Sequence, residues 1–116
     1  MKLGAEDIEL IKVMDWCRFQ KLDSFIWHCA NERQTSPQSG SVLKRKGVKA
    51  GVADLTIMRA SSGKHGAFIE LKTATGKLSD SQKKFLDAMG AEGYFTATCY
   101  SADSAIDTIK EYLQII

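Results

Sequence analysis

The chain is short of several things, and each shortage closes off a class of protein. No apolar run approaches the length needed to cross a bilayer, and the N-terminus lacks a basic-then-apolar leader pattern. Neither a membrane protein nor a secreted one is expected. The three cysteines, Cys17, Cys29 and Cys99, are odd in number, widely spaced and set among apolar residues, with no Cys-x-x-Cys. That argues against a disulfide framework or a zinc site and for buried thiols in a reducing, cytoplasmic compartment. Only one proline interrupts 116 residues, and no repeat or low-complexity tract is present. A chain of this length supports one domain, 1–116, with a single core.

Neither sign of charge predominates, since 16 Lys/Arg stand against 14 Asp/Glu for a net charge of only +2. The distribution is more informative. From Ser41 to Lys84 ten Lys/Arg stand against Asp54, Glu70 and Asp80, a balance of +7; the rest carries six against eleven, a balance of −5. The simplest partner for such a concentrated positive stretch is a polyanion, with Lys and Arg on phosphates.

What the sequence does contain is organised around Phe68-Ile69-Glu70-Leu71-Lys72, with Asp54 sixteen positions before Glu70. Strand alternation sends Phe68, Glu70 and Lys72 to one face and Ala67, Ile69 and Leu71 to the other. Asp54, Thr56 and Met58 alternate likewise with Leu55 and Ile57. Ala60 to Gly66 is a polar, glycine-containing connection of the kind that joins a hairpin. Antiparallel pairing then puts Asp54 beside Glu70 and Lys72, a cluster suited to a magnesium ion with a cation next to it. Taken alone, Glu-x-Lys on a strand is as readily a solvated pair worth about 0.2–1 kcal/mol.

Ala5 to Gln20 reads as a helix, with Glu6, Asp7 and Glu9 at the positive end of its dipole and Leu10, Val13, Met14 and Cys17 as one stripe. Ile8, Trp16 and Phe19 fall outside that stripe. A helix apolar on more than one side is either sandwiched in a core or shared with a second subunit, and a dimer interface is the expectation. Ser24 to Cys29 is β-branched and aromatic enough for a strand, with His28 read as a structural histidine. It leads to Glu32, whose acid can point into the same cleft. Gln34 to Gly40 is polar and breaker-containing, and Ser41 to Gly47 suits a short helix carrying Lys44, Arg45 and Lys46. Gly47 and Gly51, just before Asp54, suggest a turn in which backbone closely approaches a ligand.

After Lys72, Ser79 and Gln82 form a capping-box signature for a helix with Phe85, Leu86 and Met89 buried, ended by Gly90 and Gly93. Tyr94 to Tyr100 is a strand, joined to its parallel neighbour by a right-handed crossover. Ser101 and Asp103 open a last helix with Ala105, Ile106, Ile109 and Leu113 inward. The expected fold is therefore α/β, a central four-stranded mixed sheet flanked by helices in the order α-β-β-β-α-β-α.

Acid, strand, Glu-x-Lys, helix and strand in this order resemble the core of the PD-(D/E)XK nuclease superfamily. Within it the chain is similar to the VRR-NUC (virus-type replication-repair nuclease) family, found in phages, bacteria and eukaryotic repair enzymes. The matching residues are His28 with Asn31-Glu32, Gly47 with Gly51-Val52-Ala53-Asp54, Phe68 to Lys72, Gly76-Lys77-Leu78-Ser79 with Gln82, and Gly93-Tyr94. They span roughly Ser24 to Leu113, so the chain looks like a stand-alone, phage or bacterial type of member. Ala53 stands where the motif usually has proline.

The resemblance implies that Asp54 and Glu70, with the Leu71 carbonyl, bind Mg²⁺ or Mn²⁺, and that Lys72 works beside them. It also implies that Glu32 holds or positions a second metal, and that Gln82 lies near the site, where a purely capping role is the equal alternative. Lys44, Arg45, Lys46, Lys49 and Lys77 are the candidates for DNA contact. Stand-alone viral-type members look like Holliday-junction resolvases; a flap, nicking or single-strand nuclease is the alternative within the enzyme class, and a non-catalytic DNA-binding module the alternative outside it. Two opposed cuts in branched DNA would need a homodimer, with the N-terminal helix as its interface.

Overall fold

A four-stranded sheet carries the molecule, in the computed structural model that describes residues 3–30 and 37–116. Along the chain come α1 (Ala5–Phe19), β1 (Ile26–His28), α2 (Pro37–Arg45), β2 (Leu55–Ile57), β3 (Ala67–Leu71), α3 (Asp80–Ala91), β4 (Phe95–Cys99) and α4 (Ala102–Leu113). The strands lie in sequence order; β1–β2 and β2–β3 are antiparallel, and β3–β4 is parallel. This is the expected mixed α/β sheet. Glu32 and Asn31 lie outside the described residues, as do positions 34–36 of the polar segment.

Register follows the alternation of apolar residues. Leu55 pairs with Ile69 and Ile57 with Ala67, all four buried against α1 and α4. Val13 and Cys17 from α1 join Ala105, Ile109 and Tyr112 from α4 in the same core. A side chain of this kind contributes about 1.5–3 kcal/mol when fully buried, so slipping the register by one would forfeit several such terms. The other face is smaller: Phe85 and Leu86 of α3 close over Ala53 and Phe68. Phe68 meets Phe85 edge-on with ring centroids 5.1 Å apart.

Several local readings need correction. The strand expected over Ser24 to Cys29 is limited to Ile26–His28, because Leu22 carbonyl accepts from Phe25 and Ile26 N–H groups in the preceding turn. The basic helix begins at Pro37 rather than Ser41; proline is well suited to a first helical position, where its missing N–H would have no partner. Gly90 lies inside α3, and Gly93, at φ +94°, follows its end. In α4, Tyr112 is buried while Ile106 and Leu113 are half-buried; the Tyr112 hydroxyl donates to Arg59 carbonyl at 2.6 Å. Cys29 is a half-buried thiol, unlike buried Cys17 and Cys99. Among the described residues no helix is long and apolar enough to cross a membrane.

The first helix divides its apolar residues. Trp16 packs against the core with Leu10 and Met14, whereas Ile8, Ile11 and Phe19 are exposed. Glu9, read from sequence as a dipole partner of its own helix, reaches α4 instead. Its carboxylate accepts from Ala102 N–H at 3.0 Å, and that bond, with Lys12 beside it, holds the acid below the usual carboxylate range.

Candidate active site

The site forms at one end of the sheet because β2 begins where β3 ends. Cys29 N–H donates to Asp54 carbonyl at 2.9 Å, continuing the β1–β2 ladder one step past His28. Asp54 carboxylate then turns across to β3 and accepts from Leu71 N–H at 2.8 Å. That bond uses Oδ2 and anchors the acid to the backbone between Glu70 and Lys72. His28 Nδ1 lies 2.8 Å from the same Asp54 carbonyl. A carbonyl cannot donate, so Nδ1 carries the proton of this bond. His28 thus braces the Asp54 backbone and also lines the cavity.

Glu70 is only 3% exposed. Burial, a hydrogen bond with Asp54 and the charge of Asp54 push its carboxyl up to about 8, while Lys72 pulls the other way. Such an elevation marks two acids packed together with too little positive charge around them. Glu6 from α1 adds to the negative field.

Gln82 makes the capping box and also reaches the buried acid. It is 5% exposed at the third position of α3, where Ser79 Oγ accepts from Gln82 N–H at 3.2 Å and Gln82 Oε1 accepts from Ser79 N–H at 2.8 Å. With its oxygen committed to the cap, the amide nitrogen is left to donate to Glu70 Oε2 at 3.3 Å. The capping box therefore orients the side chain that holds the buried acid.

Gly51 serves this assembly in a way the sequence did not indicate. At φ +85°, its position would place a Cβ against Ser81 carbonyl and 2.9 Å from Gln82 N. The close backbone approach seen here is to the first turn of α3. It clamps the segment entering Asp54 onto the turn that carries Gln82.

The resulting cavity, about 290 Å³, is lined by Asp54, Glu70, Leu71, Lys72 and Gln82, with Val52, His28, Ala30 and, from α1, Glu6, Asp7 and Leu10. Glu6 and Asp7 were legible from sequence only as dipole partners. Asp7 does serve the helix end, accepting from Gly4 N–H at 3.1 Å. Lys77 is exposed and lines an adjoining cavity with Gly51, Lys72, Ser79, Ser81 and Gln82. Lys44, Arg45, Lys46 and Lys49 are all exposed along and after α2.

Among the described residues no three His, Cys, Asp or Glu side chains form a metal cage. The available set is two carboxylates on neighbouring strands. Hard oxygen donors with open positions suit a divalent cation that keeps several waters, and the crowding of Glu70 against Asp54 is the charge imbalance such an ion offsets. The donor chemistry fits.

With this geometry established, comparison defines the class. The VRR-NUC domain model matches residues 6–103. A solved structure titled "VRR_NUC domain protein" superposes with a TM-score of 0.82 at 31% identity, covering 99% of this chain and 93% of that one. No curated protein matches the chain. The chain belongs to the VRR-NUC domain family, which makes it a nuclease of the PD-(D/E)XK type. The matched span begins at Glu6, eighteen residues before the stretch that carried the resemblance in the sequence, and so includes the helix whose acids line the cavity.

Proposed function

We propose that the chain is an intracellular, single-domain endonuclease that depends on Mg²⁺ or Mn²⁺ and cuts branched DNA, acting as a homodimer on four-way (Holliday) junctions. The observation that carries this reading is the meeting of Asp54, Glu70, Lys72 and Gln82 in one polar cavity at the sheet end.

Asp54 Oδ1, Glu70 and the Leu71 carbonyl would hold the cation, and Glu32 would hold or position a second. A bound divalent ion supplies charge neutralisation at the phosphate and acidifies a water. The rest of the work falls to the chain. Asp54 stays fixed because Leu71 N–H occupies its other oxygen. Gln82 restrains Glu70 through Oε2. Lys72, beside both acids, orients the attacking water or takes its proton, and faces the charge that grows on the phosphate. Lys44, Arg45, Lys46, Lys49 and Lys77 supply phosphate contacts. Exposed Ile8, Ile11 and Phe19 on α1 support a dimer through that helix.

The test is cleavage of an end-labelled four-way junction beside linear duplex and flap controls, with Mg²⁺, Mn²⁺ or EDTA, and with Asp54→Ala and Lys72→Ala. Paired symmetric nicks that vanish with EDTA and with either substitution support the reading. Cutting confined to flaps or single strands removes the junction assignment, and metal-independent DNA binding without cutting removes the catalytic one. Light scattering addresses the dimer: a strict monomer at micromolar concentration counts against junction resolution.

A further inference from the structure

The chain has two tryptophans, and they are placed very differently. Trp16 packs against the main core, with Lys110 Nζ 5.9 Å from its ring. Trp27 is 42% exposed on β1, the outer strand of the sheet. An indole offers a large flat apolar face, suited to contact with another ring system.

Register says where such a ring would sit. Trp27 pairs with Thr56, so the two share a face, and Asp54 stands just before β2, two residues before Thr56, where its carbonyl accepts from Cys29 N–H. Trp27 and Asp54 are thus cross-strand diagonal neighbours, with roughly 7–8 Å between them. That is about the separation between a phosphodiester held at Asp54 and the base of an adjoining nucleotide. Met58, the opposite diagonal, is also exposed. Arg59 follows it, its guanidinium fixed 3.7 Å over the ring of Phe25, two residues before Trp27. Phe25 packs with the main core, so this cation lies off the face of Trp27, where Trp27 and Met58 together expose an apolar surface beside the acid.

We infer that Trp27 is a stacking platform for a nucleobase beside the cleaved phosphodiester, and that it gives the enzyme its preference for unpaired or branch-point nucleotides. This rests on the nuclease reading above and deepens it. In linear duplex every base is stacked on both sides and presents no free face to an indole. At a branch, flap or single-stranded end one face is open, and stacking on an aromatic side chain is sequence-tolerant because every base has a π-face. Selection by structure without selection by sequence follows from that chemistry.

The experiment has two arms. In the first, Trp27→Ala and Trp27→Phe are compared with wild type on four-way junction, flap and linear duplex in Mg²⁺ or Mn²⁺, after thermal melts show that both variants fold. Trp27→Ala is expected to lose roughly ten- to a hundredfold in kcat/KM on branched substrates, with a much smaller loss in any cutting of linear duplex. Trp27→Phe, which keeps a stacking face, should recover most of that loss. An equal loss on linear duplex, or Trp27→Phe as poor as Trp27→Ala, overturns the inference.

In the second arm Trp16→Phe leaves Trp27 as the sole tryptophan, and its emission is titrated with junction, single-stranded and duplex DNA in EDTA. Strong quenching by the first two and little by the third is expected; no quenching by any DNA overturns stacking. If Trp27→Ala instead turns a dimer into a monomer, the surface is covered by a second copy and the platform is wrong. A wild type that cuts no DNA defeats the nuclease reading, while the emission titration still decides whether Trp27 stacks on bases.

Discussion

The helices α3 and α2 make an instructive contrast. Both bring polar residues towards a proposed nucleic-acid substrate, yet they are held in opposite ways. The first turn of α3 is fixed by a capping box, by Gly51 packed against Ser81, and by Phe85 and Leu86 in the core. None of the described side chains of α2 is buried, and its cations project into solvent. Holding a buried carboxylate requires placement to a fraction of an ångström, because short-range electrostatics dominate there. Phosphate contact by lysine works through a longer-ranged field and tolerates a loosely supported helix. The two regions divide precision from attraction.

Removing a charged group from the precise region should break activity most. Asp54→Asn or Lys72→Ala is expected to lower kcat on DNA by about a thousandfold or more with little change in substrate binding, checked by single-turnover cleavage and gel shift. A comparable drop in binding would place Lys72 with the basic helix instead.

Next in size is the clamp. Gly51→Ala must relieve a clash with Ser81 carbonyl and a positive φ, so a loss of about 3 kcal/mol, roughly 10 °C in Tm, is expected. Gly47 also has a positive φ, but nothing lies within 4 Å of its would-be Cβ. Gly47→Ala should cost only about 1 kcal/mol, so melts of the two variants measure how tightly each region is built.

Acidity offers a third probe. Glu70 has an ordinary value of 4.5 and is raised to about 8 in the fold. Between those limits the folded chain keeps a proton that the unfolded chain has released, so metal-free stability falls as pH rises through this window. Melts in EDTA from pH 5 to 8 should show a decline of several degrees that Glu70→Gln flattens. Added Mn²⁺ should restore wild-type Tm chiefly at the upper end of the range.

The smallest effect belongs to the basic helix. Neutralising Lys44, Arg45 and Lys46 singly should weaken DNA binding only about two- to threefold, reducing the salt slope by roughly one unit per lost phosphate contact while kcat holds. A large kcat effect from any of them would place it in the precise region.

The same contrast explains what could be read from the sequence. The β2–β3 hairpin, the cap of α3 and the parallel return to β4 were legible because each is written in short-range pattern: alternation, turn residues and a Ser-x-x-Gln box. The juxtaposition of Asp54 with Glu70 followed from that pattern alone. Glu6 and Asp7 were not legible as cavity-lining groups, since helical periodicity shows which side of α1 is apolar but not which strand end its acids face. The contact of Gly51 with α3 was not legible for a related reason: glycine announces a close approach without naming what approaches. Pro37 was taken as a breaker because its surroundings are polar, although at a first helical position proline starts a helix as readily as it ends one. Glu32 lies outside the described residues.

The capping box at Ser79 and Gln82 has a further consequence, which concerns order of assembly. Both capping hydrogen bonds join residues only three apart, and one of them fixes the oxygen of the Gln82 side-chain amide. The side chain is therefore aimed by its immediate neighbours, without any contact from the sheet. Docking needs only to bring Glu70 to a donor already turned the right way, so the long-range step carries less of the search. A feature that ends a helix neatly also shortens the path to a working site.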